Sequence, residues 1–131
     1  MDATQSARFE HDKGIAGSAD RGGRRQVTII EQHAWDAAIE AVGEHVDPVT
    51  RRANLLISGP SLTNSRGRTL LVGECRISIL GETRPCHLME EAQTGLQNAL
   101  RPDWRGGAFG QIMNDADVAV GDVVRWADAG E

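Results

Sequence analysis

The stretch ETRPCHLMEE, residues 82–91, holds one of only two cysteines in the chain. Cys86 stands between Pro85 and His87, with Arg84 one step back, and not in the apolar run that an inert core cysteine prefers. Pro85 fixes its own φ and biases Arg84 towards an extended backbone. Arg84, His87 and the N-terminus of a following helix all favour a thiolate. A thiolate is the form that ligates soft metals or attacks sulfur. The alternative is a buried cysteine at a strand-to-helix corner with no chemical role.

The remaining reactive side chains offer less. Cys75 alternates with Ile77 and Ile79 and reads as a small buried apolar residue. The four histidines are His11, His33, His45 and His87. None stands at zinc-ligand spacing from another ligand, and no Cys-x-x-Cys is present. His87 can orient or protonate a group beside Cys86, or simply face water. No Ser-His-Asp arrangement, P-loop or dinucleotide fingerprint occurs. RGGRR and RGGAF resemble RNA-binding RGG tracts only in isolated copies; glycine punctuation explains them better.

Positioning Cys86 requires a strand before it and a helix after it. TLLVGECRISILGE, 69–82, supplies the strand: Cys75, Ile77 and Ile79 share one face, and Glu74, Arg76 and Ser78 the other. Gly73 interrupts the run, which predicts two short strands or a bulge. Leu88, Met89, Ala92, Leu96, Ala99 and Leu100 keep helical spacing despite Gly95, until Pro102 stops them. Upstream, RQVTII, 25–30, and RRANLLIS, 51–58, read as strands. Between them Trp35, Ala38, Ile39 and Val42 line one face of a helix over about Gln32–His45. GAFGQIM, 107–113, and DVAVGDVVRW, 117–126, complete the strands. Several short strands with two helices predict a mainly β fold, a closed or nearly closed barrel with the helices packed outside. Residues 1–13 read as a flexible tail, 14–126 as a single domain, and 127–131 as a second tail.

The chain has 131 residues, enough for one domain with a real core. Its net charge is −5, which argues against a general nucleic-acid binder. Lys13 is the only lysine, so the positive charge is almost all arginine, whose planar fork suits phosphate and carboxylate recognition. No secretory leader or membrane-spanning run is read, so a cytoplasmic location with reduced thiols is expected.

In order, GIAG, GRRQVTII, RRANLLISG, RTLLVGECRISILGETRPCHLME and RPDWRGGAFGQIMNDADVAVGDVVRW resemble a MOSC domain, named for the C-terminal domain of molybdenum cofactor sulfurases. The resemblance runs from about Gly14 to Trp126 and is nearest to the short bacterial stand-alone members. It implies a β-barrel with outer helices and makes Cys86 the functional thiol: a sulfur acceptor in the sulfurases, a molybdenum ligand in the related amidoxime-reducing enzymes. It further implies that Arg52 pairs with the pterin phosphate and that Asn54 donates to a pterin edge or holds its loop. Arg84 either lowers the Cys86 pKa or touches an anion, and His87 is grouped with the cofactor contacts from its place beside Cys86. Arg105 matches the family's late Arg-Gly-Gly and either contacts the cofactor or makes only a structural pair, with Gly106 and Gly107 allowing close backbone approach. Gly121–Asp122 reads as a turn. The chain departs from the family at Gly17–Ser18, where Gly-Asp is common. It also has no pyridoxal-phosphate domain with which to generate sulfur itself.

Two function classes follow. In the first, Cys86 binds molybdenum cofactor or a sulfur-carrying ligand, as a sulfur carrier or as part of a molybdenum-dependent reductase of N-oxygenated substrates. The partner is then a sulfur donor such as a cysteine desulfurase, or an electron-donor protein; neither nucleic acid nor membrane is expected. In the second, the domain is a non-catalytic accessory or protein-binding module.

Overall fold

The computed structural model describes residues 6–16, 26–43, 55–83 and 87–127. The strands are β1 (Ser6–Glu10), β2 (Gly14–Ile15), β3 (Val27–Glu31), β4 (Leu55–Ile57), β5 (Thr69–Val72), β6 (Cys75–Glu82), β7 (Ala108–Ile112), β8 (Ala116–Ala119) and β9 (Val124–Trp126). The helices are α1 (Gln32–Val42), α2 (His87–Ala92) and α3 (Leu96–Ala99), and a 3-10 turn spans Pro102–Trp104. Six strands form a nearly closed barrel sheet in the order β4-β3-β7-β6-β5-β9, and β2-β1-β8 form a second, three-stranded sheet. The mainly β barrel expected from the sequence is therefore present.

β3 and β4 are parallel, and the chain crosses between them through α1. This follows from geometry, since parallel neighbours cannot be joined by a tight hairpin. The other pairings are antiparallel. At Gly73–Glu74 the chain turns from β5 to β6, pairing Val72 with Cys75, so the interruption at Gly73 separates two strands.

One apolar cluster fills the barrel and joins both sheets: Phe9 and Ile15, Ala116 and Val118, with Val27, Ile29, Leu70, Ile77, Ile79 and Ile112. A second cluster lies among the helices, where Trp35 and Ala38 of α1 meet Met89, Leu96 and Leu100. Ile39 and Val42 pack against it, completing the helical face read from the sequence. Gln26, fully buried, links two distant segments. Its amide nitrogen donates to Asp12 Oδ1 (3.0 Å), and its amide oxygen accepts from Ile112 N (3.0 Å).

Three expectations are corrected. Ser6–Glu10 lie within the expected tail but form β1, which pairs Ser6 with Ala119 and Phe9 with Ala116. Gly14–Ile15 form β2, upstream of residues 25–30 where the first strand is read. The helical run after Cys86 is two helices and not one. Gly95, at φ +88°, breaks it, and Glu90 Oε2 accepts the Gly95 N–H (2.9 Å). The spacing survives because both short helices bury their apolar residues in the same cluster.

Candidate functional site

Register fixes one end of the barrel. Leu55 pairs with Ile29, Ile29 with Ala108, and Ala108 with Glu82, so these four residues form one row across β4, β3, β7 and β6. The chain leaves β6 just past this row and enters α2 at His87. Cys86 belongs to that short connection by sequence. Arg52, Asn54, Arg84 and Cys86 lie outside the described residues. So do Gly17 and Ser18. His87 opens α2.

A β-bulge changes which side chains this end presents. Ile79 pairs with Gly110 but Gly81 pairs with Phe109, so Leu80 is the extra residue. Without a bulge, the alternation of β6 would turn Glu82 away from the core. One inserted residue reverses the faces beyond it. Glu82 therefore shares a face with Ala108 and Ile29, which belong to the barrel core, and with Leu55, which packs against it. Glu82 is half-buried there. No periodicity argument finds this residue, because the signal is a register shift against another strand.

Glu31 ends β3 on the same face, paired with core residue Ile57. It is buried, and its Oε2 accepts the N–H of Leu62 (3.1 Å). Leu62 is fully buried in the barrel cluster, so the Glu31 carboxylate ties the segment around Leu62 to the end of β3.

The segment before β7 is tightly built. Arg105 is half-buried and donates from Nη1 to the carbonyl of Ala99 (3.1 Å), which ties it to the end of α3. This is the one described arginine among the expected ligand-binding residues, and the bond gives it a structural role. Gly107, at φ +99°, lies so close to β3 that a Cβ would stand 2.1 Å from Ile29 O. The expected close backbone approach at Gly107 is thus present. Trp104 takes φ +60°, an outlying conformation for so bulky a residue, and costs of order 1–3 kcal/mol. Its carbonyl accepts the Gly107 N–H (2.9 Å), and its half-buried indole packs against the barrel cluster.

Two buried hydroxyls, Ser65 Oγ and Thr83 Oγ1, have no hydrogen-bond partner among the described residues. Thr83 directly precedes Arg84 and is 4% exposed, with its N–H bonded to Gly107 O (2.9 Å). An unmet buried hydroxyl costs about 1–3 kcal/mol.

Cys75 is settled by its surroundings. It is fully buried, and its thiol points at the carbonyls of Arg76 (3.9 Å) and Asn114 (3.8 Å). Burial pushes its pKa up from 9.0 to about 11. A neutral, inaccessible thiol is neither nucleophile nor ligand. The Gly121–Asp122 turn is also present: Asp122 Oδ2 accepts the Ala119 N–H (2.9 Å). Among the described residues no group of His, Cys, Asp and Glu could hold a metal ion. No described helix is long and apolar enough to cross a membrane.

Comparison with known proteins places the family and the fold. The profile of the MOSC domain matches residues 13–125. The YuaD protein from Bacillus subtilis superposes with a TM-score of 0.73 at 21% identity, covering 92% of this chain and 84% of its own. YiiM from Escherichia coli superposes with a TM-score of 0.74 at 13% identity, covering 98% of this chain and 65% of its own. YiiM from Geobacillus stearothermophilus gives 0.70 at 12% identity, covering 95% and 74%. At these identities the structural likeness speaks for the fold alone. The chain spans just under two thirds of the Escherichia coli protein. No curated protein matches.

Proposed function

The chain belongs to the MOSC domain family, and on that footing we propose that it binds molybdenum cofactor or a sulfur-carrying ligand through Cys86. The observation that carries this reading is the exclusion of Cys75. Of the two cysteines, that one is buried, neutral and held among carbonyls. Any thiol chemistry in this chain therefore falls to Cys86, which occupies the Pro-Cys position of the family motif.

The residues at this end are compatible with a polar ligand. Thr83 Oγ1, three residues before Cys86, is a buried polar group with no hydrogen-bond partner among the described residues. When bound, molybdenum cofactor supplies oxygen-atom transfer chemistry at its metal. This chain's part is to hold it: Cys86 as ligand, with Arg52, Asn54, Arg84 and His87 as the candidate contacts. Arg105 is the weakest of that set, because its guanidinium already serves Ala99. A reductase of this kind draws electrons from a partner protein, since the sequence carries no flavin, haem or iron–sulfur motif.

As a sulfur carrier, the Cys86 thiolate attacks the outer sulfur of a donor persulfide. The donor's S–S bond breaks, the donor departs as a thiolate, and Cys86 keeps the persulfide. An acceptor nucleophile then takes the outer sulfur, and Cys86 is released as a thiolate. No net oxidant is consumed. A cysteine desulfurase is the matching donor class.

The test is anaerobic purification from a host that makes molybdenum cofactor, with molybdenum and sulfane sulfur measured per chain for the parent and Cys86→Ser. Molybdenum lost in the variant makes Cys86 a ligand and supports the reductase. Sulfane sulfur without molybdenum, lost in the variant, supports the carrier. Neither, even after incubation with cofactor and a sulfur donor, sinks the Cys86 reading. The accessory-module reading then replaces it. One observation favours that alternative: Val120 and Val123, beside the Gly121–Asp122 turn, are 73% and 71% exposed.

A further inference from the structure

We propose that the outer face of β9, β5 and β6 is a docking surface for an acidic segment of a partner protein, gripped by Arg125 and Arg76. The register puts these two arginines in one row. Arg125 pairs with Leu71, and Leu71 pairs with Arg76. The Arg76 carbonyl then accepts the N–H of Met113 (2.8 Å), which extends the row by one residue. Leu71, Arg76 and Arg125 belong to the outer face. On either side of them Leu70, Val72, Cys75 and Ile77 fill the barrel cluster, and Val124 and Trp126 pack against it. Leu71 is only 6% exposed there, as expected of an apolar residue shielded by long arginine stems.

Charge marks this face off from the rest of the molecule. The chain carries 19 acidic residues against 14 lysines and arginines, yet this row holds two arginines and no carboxylate. The next row is Thr69 opposite Ser78, both half-buried, and their hydroxyls donate as readily as they accept. Arg76 and Arg125 are exposed, and neither guanidinium has a hydrogen-bond or ion-pair partner among the described residues. Other arginines differ. Arg8 pairs with Asp117 (3.4 Å), Arg68 lies over Trp126 (4.2 Å), and Arg105 serves the Ala99 carbonyl. Glu74 and Asp122 stand in the turns that lead into β6 and β9, and Asp122 is already engaged with Ala119 N. Two exposed apolar side chains border the row: Met113 at 47% and Val123, one residue before β9, at 71%.

Charge complementarity selects the occupant. Each guanidinium offers a planar fork that matches one carboxylate. The two arginines stand two strand spacings apart, roughly 10 Å. A helix repeats one face every seven residues, about 10.5 Å along its axis, so carboxylates at that spacing reach both arginines. The apolar borders favour a polypeptide over a nucleic acid. Arginine and methionine are enriched where proteins meet, and a chain of net charge −5 repels a polyanion. The surface uses none of the residues proposed to hold a cofactor, so the inference stands whichever role Cys86 has.

The probe is a fluorescein-labelled, end-blocked helical peptide with two glutamates seven residues apart and a leucine midway between them. Its twins carry glutamine or lysine in place of the glutamates. Binding to the full chain is read by fluorescence anisotropy at low salt. The glutamine twin should bind at least about tenfold more weakly than the glutamate peptide, and the lysine twin not at all. Arg125→Glu and Arg76→Glu should each weaken the glutamate peptide about tenfold. The double variant should lose that peptide and bind the lysine twin instead. Arg101→Glu, the same charge change at an exposed arginine off this face, should bind like the parent. No binding of the glutamate peptide, or equal binding of its lysine twin, overturns the proposal. So does an equal loss in Arg101→Glu, which would show that net charge alone matters. A single-stranded DNA oligonucleotide held more tightly than the peptide by the same two arginines overturns it in favour of nucleic acid. Both arginines are exposed, so charge reversal spares the core. If one reversal fails to fold, the other and the comparison of peptides on the parent still decide.

Discussion

Gly107→Ala should be among the most damaging single-methyl additions in this protein, and the structure separates its two causes. At φ +99° an L side chain is strained, which costs about 1–2 kcal/mol. The added Cβ would also stand 2.1 Å from Ile29 O and 2.9 Å from Ile30 Cγ2. Backbone cannot swing away as a side-chain tip can, so β3 must move, at an overpacking cost of about 1–3 kcal/mol. The sum is about 2–5 kcal/mol. Two other alanine variants isolate the parts. Gly95 has φ +88° with nothing within 4 Å of the added carbon, so it reports strain alone. Gly110 has no positive φ, but its Cβ would meet Ser78 O at 2.2 Å, so it reports the clash alone. Urea unfolding measures all three. With a slope of about 1.5 kcal/mol/M, Gly107→Ala should lower the midpoint by about 1.3–3.3 M. Gly95→Ala should lower it by no more than about 1.5 M. A Gly107→Ala midpoint no lower than that of Gly95→Ala would refute the claim that β3 is held against this glycine.

The native protein should take up one equivalent of a small thiol reagent at neutral pH, Cys86→Ser none, and the unfolded parent two. A fast-reacting Cys75 would contradict its burial. Cys75 also bears on alkaline stability: the unfolded chain loses its proton near 9.0 and the folded chain near about 11. Stability should therefore fall as pH rises through that window and be unaffected below it. Urea melts of Cys75→Ala should show a smaller alkaline loss than the parent. Glu31→Ala should cost about 1–3 kcal/mol by orphaning the buried Leu62 N–H, with Glu31→Gln milder. Hydrogen exchange at Leu62 should quicken in the alanine variant, and unchanged exchange would show that Glu31 does not hold this segment.

The sequence by itself determined the elements whose pattern is local. Alternation at Cys75, Ile77 and Ile79 set a half-buried strand, and the spacing of Trp35, Ala38, Ile39 and Val42 set the apolar face of α1. Both patterns survive because a period of two or 3.6 is enforced by the backbone itself. Cys75 was legible as a core residue for the same reason, and the order of motifs was enough to suggest the family. The candidate site was legible only as residue types: Cys86, Arg84 and His87 were named from their neighbours in sequence, and Arg52, Asn54 and Arg105 only through the family resemblance. The bond of Arg105 to the Ala99 carbonyl is a partner no local pattern contains.

What the tertiary structure decided depends on partners far along the chain. SARFE has no strand signal of its own and becomes β1 because its backbone pairs with residues 116–119. Glu82 reads as outward in its own strand, and only the register of β6 against β7 turns it to the core side. Trp104 occupies a backbone conformation that its type disfavours, held by its carbonyl bond to Gly107 and by the barrel cluster beneath its ring. A sequence encodes the propensity of each segment. Register, bulges and strained turns are set only when segments meet, because their free energies come from long-range hydrogen bonds and packing.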